Sequence, residues 1–346
     1  MKKHLVLFLQ FGIPLAIIAY LLYQVDQHHP GQFQRLWHQP KNWPLLSVGF
    51  GLVFISVGFS FLRWWVLVRA LGLSFRLTEA VRLSFLGYLL SFIAPGSVGG
   101  DLFKAVFIAR QQPGRRTEAV ATVLLDRVIG IYVLFVVASG TILLSGISRS
   151  RTGMAVKAVC DFTLLVTAIS TVAALLMLFV PFQNWRLFVR LCRLPKVGPV
   201  LGRLASALHV YRRNLRAVVL ALALSLVVHA VFPVSLYLVA QSFYTHPPTI
   251  TEHFVIVPLS LSVGAIPTPG GLGTFELAMD QLYKLLAPET NAEGIIVALT
   301  YRLMTLVIAA IGVIYYVTSR REVQSLLEEA EAEQRREPPI GNAEGL

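Results

Sequence analysis

The sequence predicts an all-α integral membrane protein built from six full transmembrane helices and two re-entrant helical hairpins arranged as an inverted repeat. Three observations carry this. The 346 residues are 55% hydrophobic and only 14% charged, far more apolar than a soluble domain of that length. Six segments, about 5–23, 45–68, 119–145, 161–181, 217–243 and 294–318, are long and apolar enough to cross a bilayer. Two more apolar regions, about 79–112 and 253–286, are each broken in the middle by a Pro/Gly cluster.

The first segment follows Lys2 and Lys3 like a signal peptide, but its end at Tyr20 to Tyr23 has no small-residue cleavage site, so it reads as a span. The net charge of +12 would suggest nucleic acid for a soluble protein. Here the basic residues sit in short loops between apolar spans, where orientation signals belong, and anionic lipid headgroups at the cytoplasmic face are the expected counter-charge. The chain has two cysteines. The topology sets Cys160 and Cys192 near opposite faces, so no disulfide is expected, and no Cys/His spacing for a metal occurs.

The interrupted regions turn at Pro95, Gly96, Gly99 and Gly100 in the first case, and at Pro267, Pro269, Gly270, Gly271 and Gly273 in the second. Irregular backbone is tolerated at membrane depth only where protein buries it or a wet cavity receives it, so each turn marks a site. If each region enters, turns and leaves on one side, the basic residues collect inside. Arg69, Arg76, Arg110, Arg115, Arg116 and the run from Arg186 to Arg216 all fall there, while Arg35, Lys41, Arg149, Arg151, Lys157 and Lys284 lie outside. Two crossings per region would preserve the same sidedness. Arm length favours the hairpin, since residues 101–112 rise only about 18 Å as helix against a hydrocarbon core of about 30 Å.

The basic segment at about 185–216 mixes arginines with Leu, Phe and Val around Pro195 and Pro199. It reads as an amphipathic cytoplasmic surface element, with a docking site for a cytoplasmic enzyme partner as the alternative. The membrane domain runs over 1–320, and 321–346 is an acidic cytoplasmic tail with a disordered end.

The halves share a pattern: an apolar arm, a Pro-Gly-x-x-Gly turn, a second arm, then a span carrying an arginine. Pro95 to Gly99 matches Pro269 to Gly273, and Asp126-Arg127 matches Tyr301-Arg302. Three complete spans separate the turns, so the first enters from the cytoplasm and the second from outside. Broken helices paired by inverted repeats are an architecture in which transporters hold substrate near the midplane.

The run Pro95 to Lys104, the segment Thr122 to Gly130 and the run Ile266 to Glu276 together resemble the lysylphosphatidylglycerol synthase/flippase membrane-domain family. The likeness covers about residues 5 to 320. It implies lipid translocation between leaflets, with a phospholipid or related amphiphile as substrate and the bacterial inner membrane as location, both termini cytoplasmic. Full synthases add a soluble aminoacyl-transfer domain; the sequence stops soon after the last span, and no aminoacyl transfer is expected.

Charges inside a membrane are expensive and face a polar interior, which singles out Arg127 and Arg302. A guanidinium matches a lipid phosphate bidentately. The competing reading is an ion pair with Asp126, Asp101 or Glu276, and the two partners can alternate. Asp101 and Thr274 stand where second arms begin and suit helix capping. The functional reading uses the turn glycines' N–H groups as an anion seat, with Asp101 and Glu276 nearer a proton or cationic headgroup. Tyr301 accompanies Arg302. Lys104 reads as the i,i+3 partner of Asp101 before it reads as a ligand. Arg63 reads as snorkelling inward and His229 as a packed histidine, with proton relay as its alternative. Trp64, Trp65, Tyr315 and Tyr316 read as interfacial anchors.

No nucleophile-His-acid set, Walker motif, HExxH or DxD pair appears, so an enzyme is not expected, nor is a metal or other cofactor. A scaffold that recruits a lipid-modifying enzyme is the remaining alternative, with an intramembrane transferase behind it.

Overall fold

In the computed structural model, residues 38, 40–93, 99–112, 115–147, 153–179, 211–212, 214–265 and 273–318 are described. The expected span at 5–23, the tail at 321–346, nearly all of the basic segment at 185–216, and the turn residues Pro95, Gly96, Pro267, Pro269, Gly270 and Gly271 lie outside them.

The described residues form nine α-helices: α1 Trp43–Ala70, α2 Leu77–Ile93, α3 Gly99–Gln111, α4 Arg116–Ser145, α5 Met154–Phe179, α6 Leu215–Phe243, α7 Ile250–Gly264, α8 Thr274–Leu286 and α9 Gly294–Thr318. Five of them, α1, α4, α5, α6 and α9, are long and apolar enough to cross a membrane. They fall on five of the six expected spans. The interrupted regions resolve into the helix pairs α2/α3 and α7/α8. At 17, 13, 15 and 13 residues, these arms span about 20 to 26 Å, less than a hydrocarbon core.

The sequence starts and stops these helices by ordinary means. Asn42 opens α1 by accepting from Leu45 N–H at 3.3 Å. Thr249 and Glu252 form a reciprocal capping box on α7, with Thr249 N–H donating to Glu252 Oε2 at 2.7 Å and Glu252 N–H to Thr249 Oγ1 at 3.3 Å. Gly146, at φ 66°, ends α4 in the left-handed region.

The packing is reciprocal. Each second arm lies along the span that follows it, α3 on α4 and α8 on α9, while each first arm crosses to the other half, α2 onto α9 and α7 onto α4. The helices that precede the two short pairs, α1 and α6, pack on each other along their length. Glycines let backbones touch at these crossings, as small residues do between membrane helices. A Cβ on Gly100 would overlap the Gly87 carbonyl oxygen where α3 meets α2, and one on Gly312 would lie 2.5 Å from Phe85 O where α9 meets α2. Gly99 and Gly100, expected in the turn, already belong to the first turn of α3. Helix α5 packs chiefly on α4 and keeps Phe162, Leu165, Ile169 and Val172 exposed, a surface suited to acyl chains.

Trp64 corrects one expectation. It is 1% exposed and donates to Thr122 Oγ1 at 3.3 Å, so it is a core residue between α1 and α4.

Candidate functional site

A cavity of about 410 Å³ opens among eight of the nine helices, all but α5. Its polar wall is made of side chains that the halves contribute in matching positions. Asp101, in the first turn of α3, accepts from Arg127 on α4. Glu276, in the first turn of α8, accepts from Arg302 on α9, with Nε at 2.8 Å and Nη2 at 2.6 Å. In both cases the carboxylate precedes its arginine by 26 positions. Each pair therefore staples the start of a second arm to the interior of the span behind it.

The pairs differ in depth. The Glu276 side chain is 1% exposed and Arg302 15%, whereas Asp101 and Arg127 are 28% and 30% exposed. Glu276 has a second duty: its Oε2 accepts the Gly273 N–H at 2.9 Å. Gly273 holds φ 99°, a backbone open to glycine, and the carboxylate closes the helix start behind it. The cap expected from Thr274 thus comes from Glu276, since α8 already begins at Thr274.

A third pair lies on the same cavity. Arg63 of α1 donates to both oxygens of Asp126, Nε to Oδ1 at 2.7 Å and Nη2 to Oδ2 at 3.1 Å. Its Nη1 reaches Ser225 Oγ of α6 at 2.7 Å. Arg63 is 6% exposed and does not snorkel. Gly130 makes room for it, because a Cβ there would stand 3.3 Å from both terminal nitrogens. Arg63 could have been found from sequence: neighbours on a helix point about 100° apart, so Asp126 cannot serve Arg127 and needs a cation from elsewhere.

Tyr301 lines the cavity between Phe232 and Phe275, edge to face with both at 5.2 and 5.3 Å. Lys104 does not line it. Its ammonium sits 5.1 Å from the Trp64 ring centroid in a cation–π contact, and the carboxylate expected for it, Asp101, is held by Arg127. His229 does line it, beside Ser56 and Ser60. Among the described residues no group of three or more His, Cys, Asp or Glu side chains is placed to hold a metal.

Three arginines line the cavity, Arg63, Arg127 and Arg302, and among the described residues they are bridged to Asp126 and Asp101, which also line it, and to the buried Glu276. Such a site can exchange a carboxylate for a phosphate at an arginine without stranding a charge, provided a cation or proton reaches the freed carboxylate.

An all-helical bundle with several membrane-length helices around a buried, charge-paired cavity defines a multi-pass membrane protein with an internal polar site. Residues 6–312 match the family described as the lysylphosphatidylglycerol synthase TM region, and the chain belongs to that family. This makes it a lipid-related membrane protein. No curated protein matches the chain.

Proposed function

We propose that this protein is a flippase that moves a phospholipid or related amphiphile between leaflets, the headgroup passing through the central cavity while the acyl chains stay in lipid. The observation that carries this reading is the pair of equivalent bridges, Asp101 to Arg127 and Glu276 to Arg302, on one cavity. Family membership supports a lipid as the cargo.

In this reading α2/α3 and α7/α8 are re-entrant hairpins that enter from opposite faces of a bacterial inner membrane, with both termini cytoplasmic. The short arms and the reciprocal crossing of α2 and α7 support it. A lipid phosphate displaces a carboxylate from Arg127 or Arg302, and the displaced carboxylate takes a proton or a cationic headgroup. The two bridges then open in turn as the cavity faces one side and the other.

The test is reconstitution into liposomes with fluorescent phospholipids and a membrane-impermeant quencher. Wild-type protein raises the fraction of label that can be quenched, and Arg127→Ala with Arg302→Ala raises it far less. Equal rates for the two proteins overturn the site assignment. Absence of movement for every lipid class tested overturns transport in favour of a scaffold.

A further inference from the structure

Beside the three charge pairs, the cavity has a polar patch that nothing among the described residues satisfies. The Ser56 hydroxyl and both ring nitrogens of His229 are buried without a hydrogen-bond partner. Ser56 is 0% exposed and His229 9%, and both line the cavity. The Gly130 carbonyl is near the imidazole but does not reach hydrogen-bonding geometry. Buried polar groups without partners are rare and costly, and those that line a cavity mark where a ligand or water belongs.

The two residues sit at the same level of one helix pair, and both border the cavity. Helices α1 and α6 run antiparallel, with Asn42 N–H on Ser242 O at 2.8 Å, Arg63 Nη1 on Ser225 Oγ at 2.7 Å and Asn214 Nδ2 on Ala70 O at 3.1 Å. That register sets Ser56 level with His229, about two helical turns from Arg63 along α1.

The chemistry of the missing partner follows from what these atoms offer. The carboxylates that line the cavity, Asp101 and Asp126, are each bound to an arginine, which leaves no counter-charge for an imidazolium beside Arg63, so the ring is neutral. A neutral imidazole presents one donor and one acceptor, and a serine hydroxyl presents both. An ammonium, which only donates, leaves the ring N–H unmet. A phosphate oxygen, which only accepts, leaves the bare ring nitrogen unmet. One hydroxyl reaches only one of the two diverging ring nitrogens, either as donor or as acceptor, and a headgroup with two hydroxyls meets both.

We propose that Ser56 and His229 form a subsite for the hydroxyl groups of the translocated headgroup, distinct from the arginines that meet its phosphate. The subsite rests on the flippase reading for its ligand being a lipid, and it makes that ligand one with a hydroxylated headgroup.

Native mass spectrometry of the detergent-purified protein tests this with an equimolar mixture of phosphatidylglycerol and phosphatidylpropanol. The two share their charge and phosphodiester and differ only in the headgroup hydroxyls. Wild-type protein retains the glycerol lipid about tenfold over the propanol lipid, the effect of one or two net hydrogen bonds. Ser56→Ala with His229→Leu brings the ratio to about one. His229→Gln, which keeps a donor and an acceptor, retains most of the preference. Equal retention of the two lipids by wild type, with water then filling the patch, overturns the subsite, as does an unchanged ratio in the double variant. Liposome assays with the same lipids separate the two proposals. Retention preference without movement of either lipid overturns transport and leaves the subsite; equal movement and equal retention of both overturn the subsite and leave transport.

Discussion

Asp126 and Arg127 are adjacent in the chain yet serve different partners, Asp126 holding Arg63 of α1 and Arg127 holding Asp101 of α3. One turn of α4 thus ties together α1 and the α2/α3 pair, and it does so on the wall of the cavity. The charge network holds the helices together and, in the proposed function, also meets the headgroup, so the two roles are separable only by choosing substitutions that keep or remove charge balance.

For the Arg63–Asp126 pair, removing one partner strands a charge where water is scarce. Arg63→Met or Asp126→Leu alone lowers unfolding free energy in detergent by about 3–5 kcal/mol, and the double substitution costs less than either. Chemical unfolding of the four proteins in this cycle measures the coupling. Additive losses would show that the two side chains do not depend on each other.

Glu276 carries both an ion pair and a helix start. Glu276→Gln keeps an acceptor for Gly273 N–H and loses only the charge, whereas Glu276→Ala loses both, so Ala is the more destabilising by about 1 kcal/mol. Thermal unfolding of the two variants ranks them; the reverse order removes the capping role.

Close helix approach makes Gly100 and Gly312 intolerant. Gly100→Ala drives a methyl into the Gly87 carbonyl and costs about 1–3 kcal/mol or more. Gly140 of α4 has nothing within 4 Å of its Cβ position, and Gly140→Ala is neutral or stabilising by up to about 1 kcal/mol. Comparable losses at both positions would place the cause in backbone flexibility and not in packing.

The proposed topology, with hairpins entering from opposite faces, expects Gln112, just past α3, inside, and Thr290, between α8 and α9, outside. In a protein with Cys160→Ala and Cys192→Ser, an impermeant maleimide applied to intact spheroplasts labels Thr290→Cys at once and Gln112→Cys only after permeabilisation. Labelling of both from one side would defeat the inverted reading.

Much of the architecture was legible because hydrophobic length and Pro/Gly interruption are local properties. The five membrane-length helices match expected spans to within a few residues, except for α5, which begins earlier, at Met154. The two interrupted regions became helix pairs whose arms are as short as their sequences required. That Arg127 and Arg302 border the interior cavity was legible because a charge inside an apolar span must face something polar. Lys104 was misread because i,i+3 spacing permits a contact without choosing it, and the ring of Trp64 from another helix was nearer.

The sequence by itself determined that the chain is an apolar, multi-helix membrane protein with two broken regions and charges placed inside spans, since each of these is written in consecutive residues. Only the tertiary structure decided which carboxylate each arginine takes, that Arg63 is buried, and that Ser56 and His229 border one cavity with no hydrogen-bond partner among the described residues. Those outcomes depend on the register between helices far apart in the chain. Register is set by where glycines let backbones touch and by which of several possible ion pairs can form together, and no single segment contains that information.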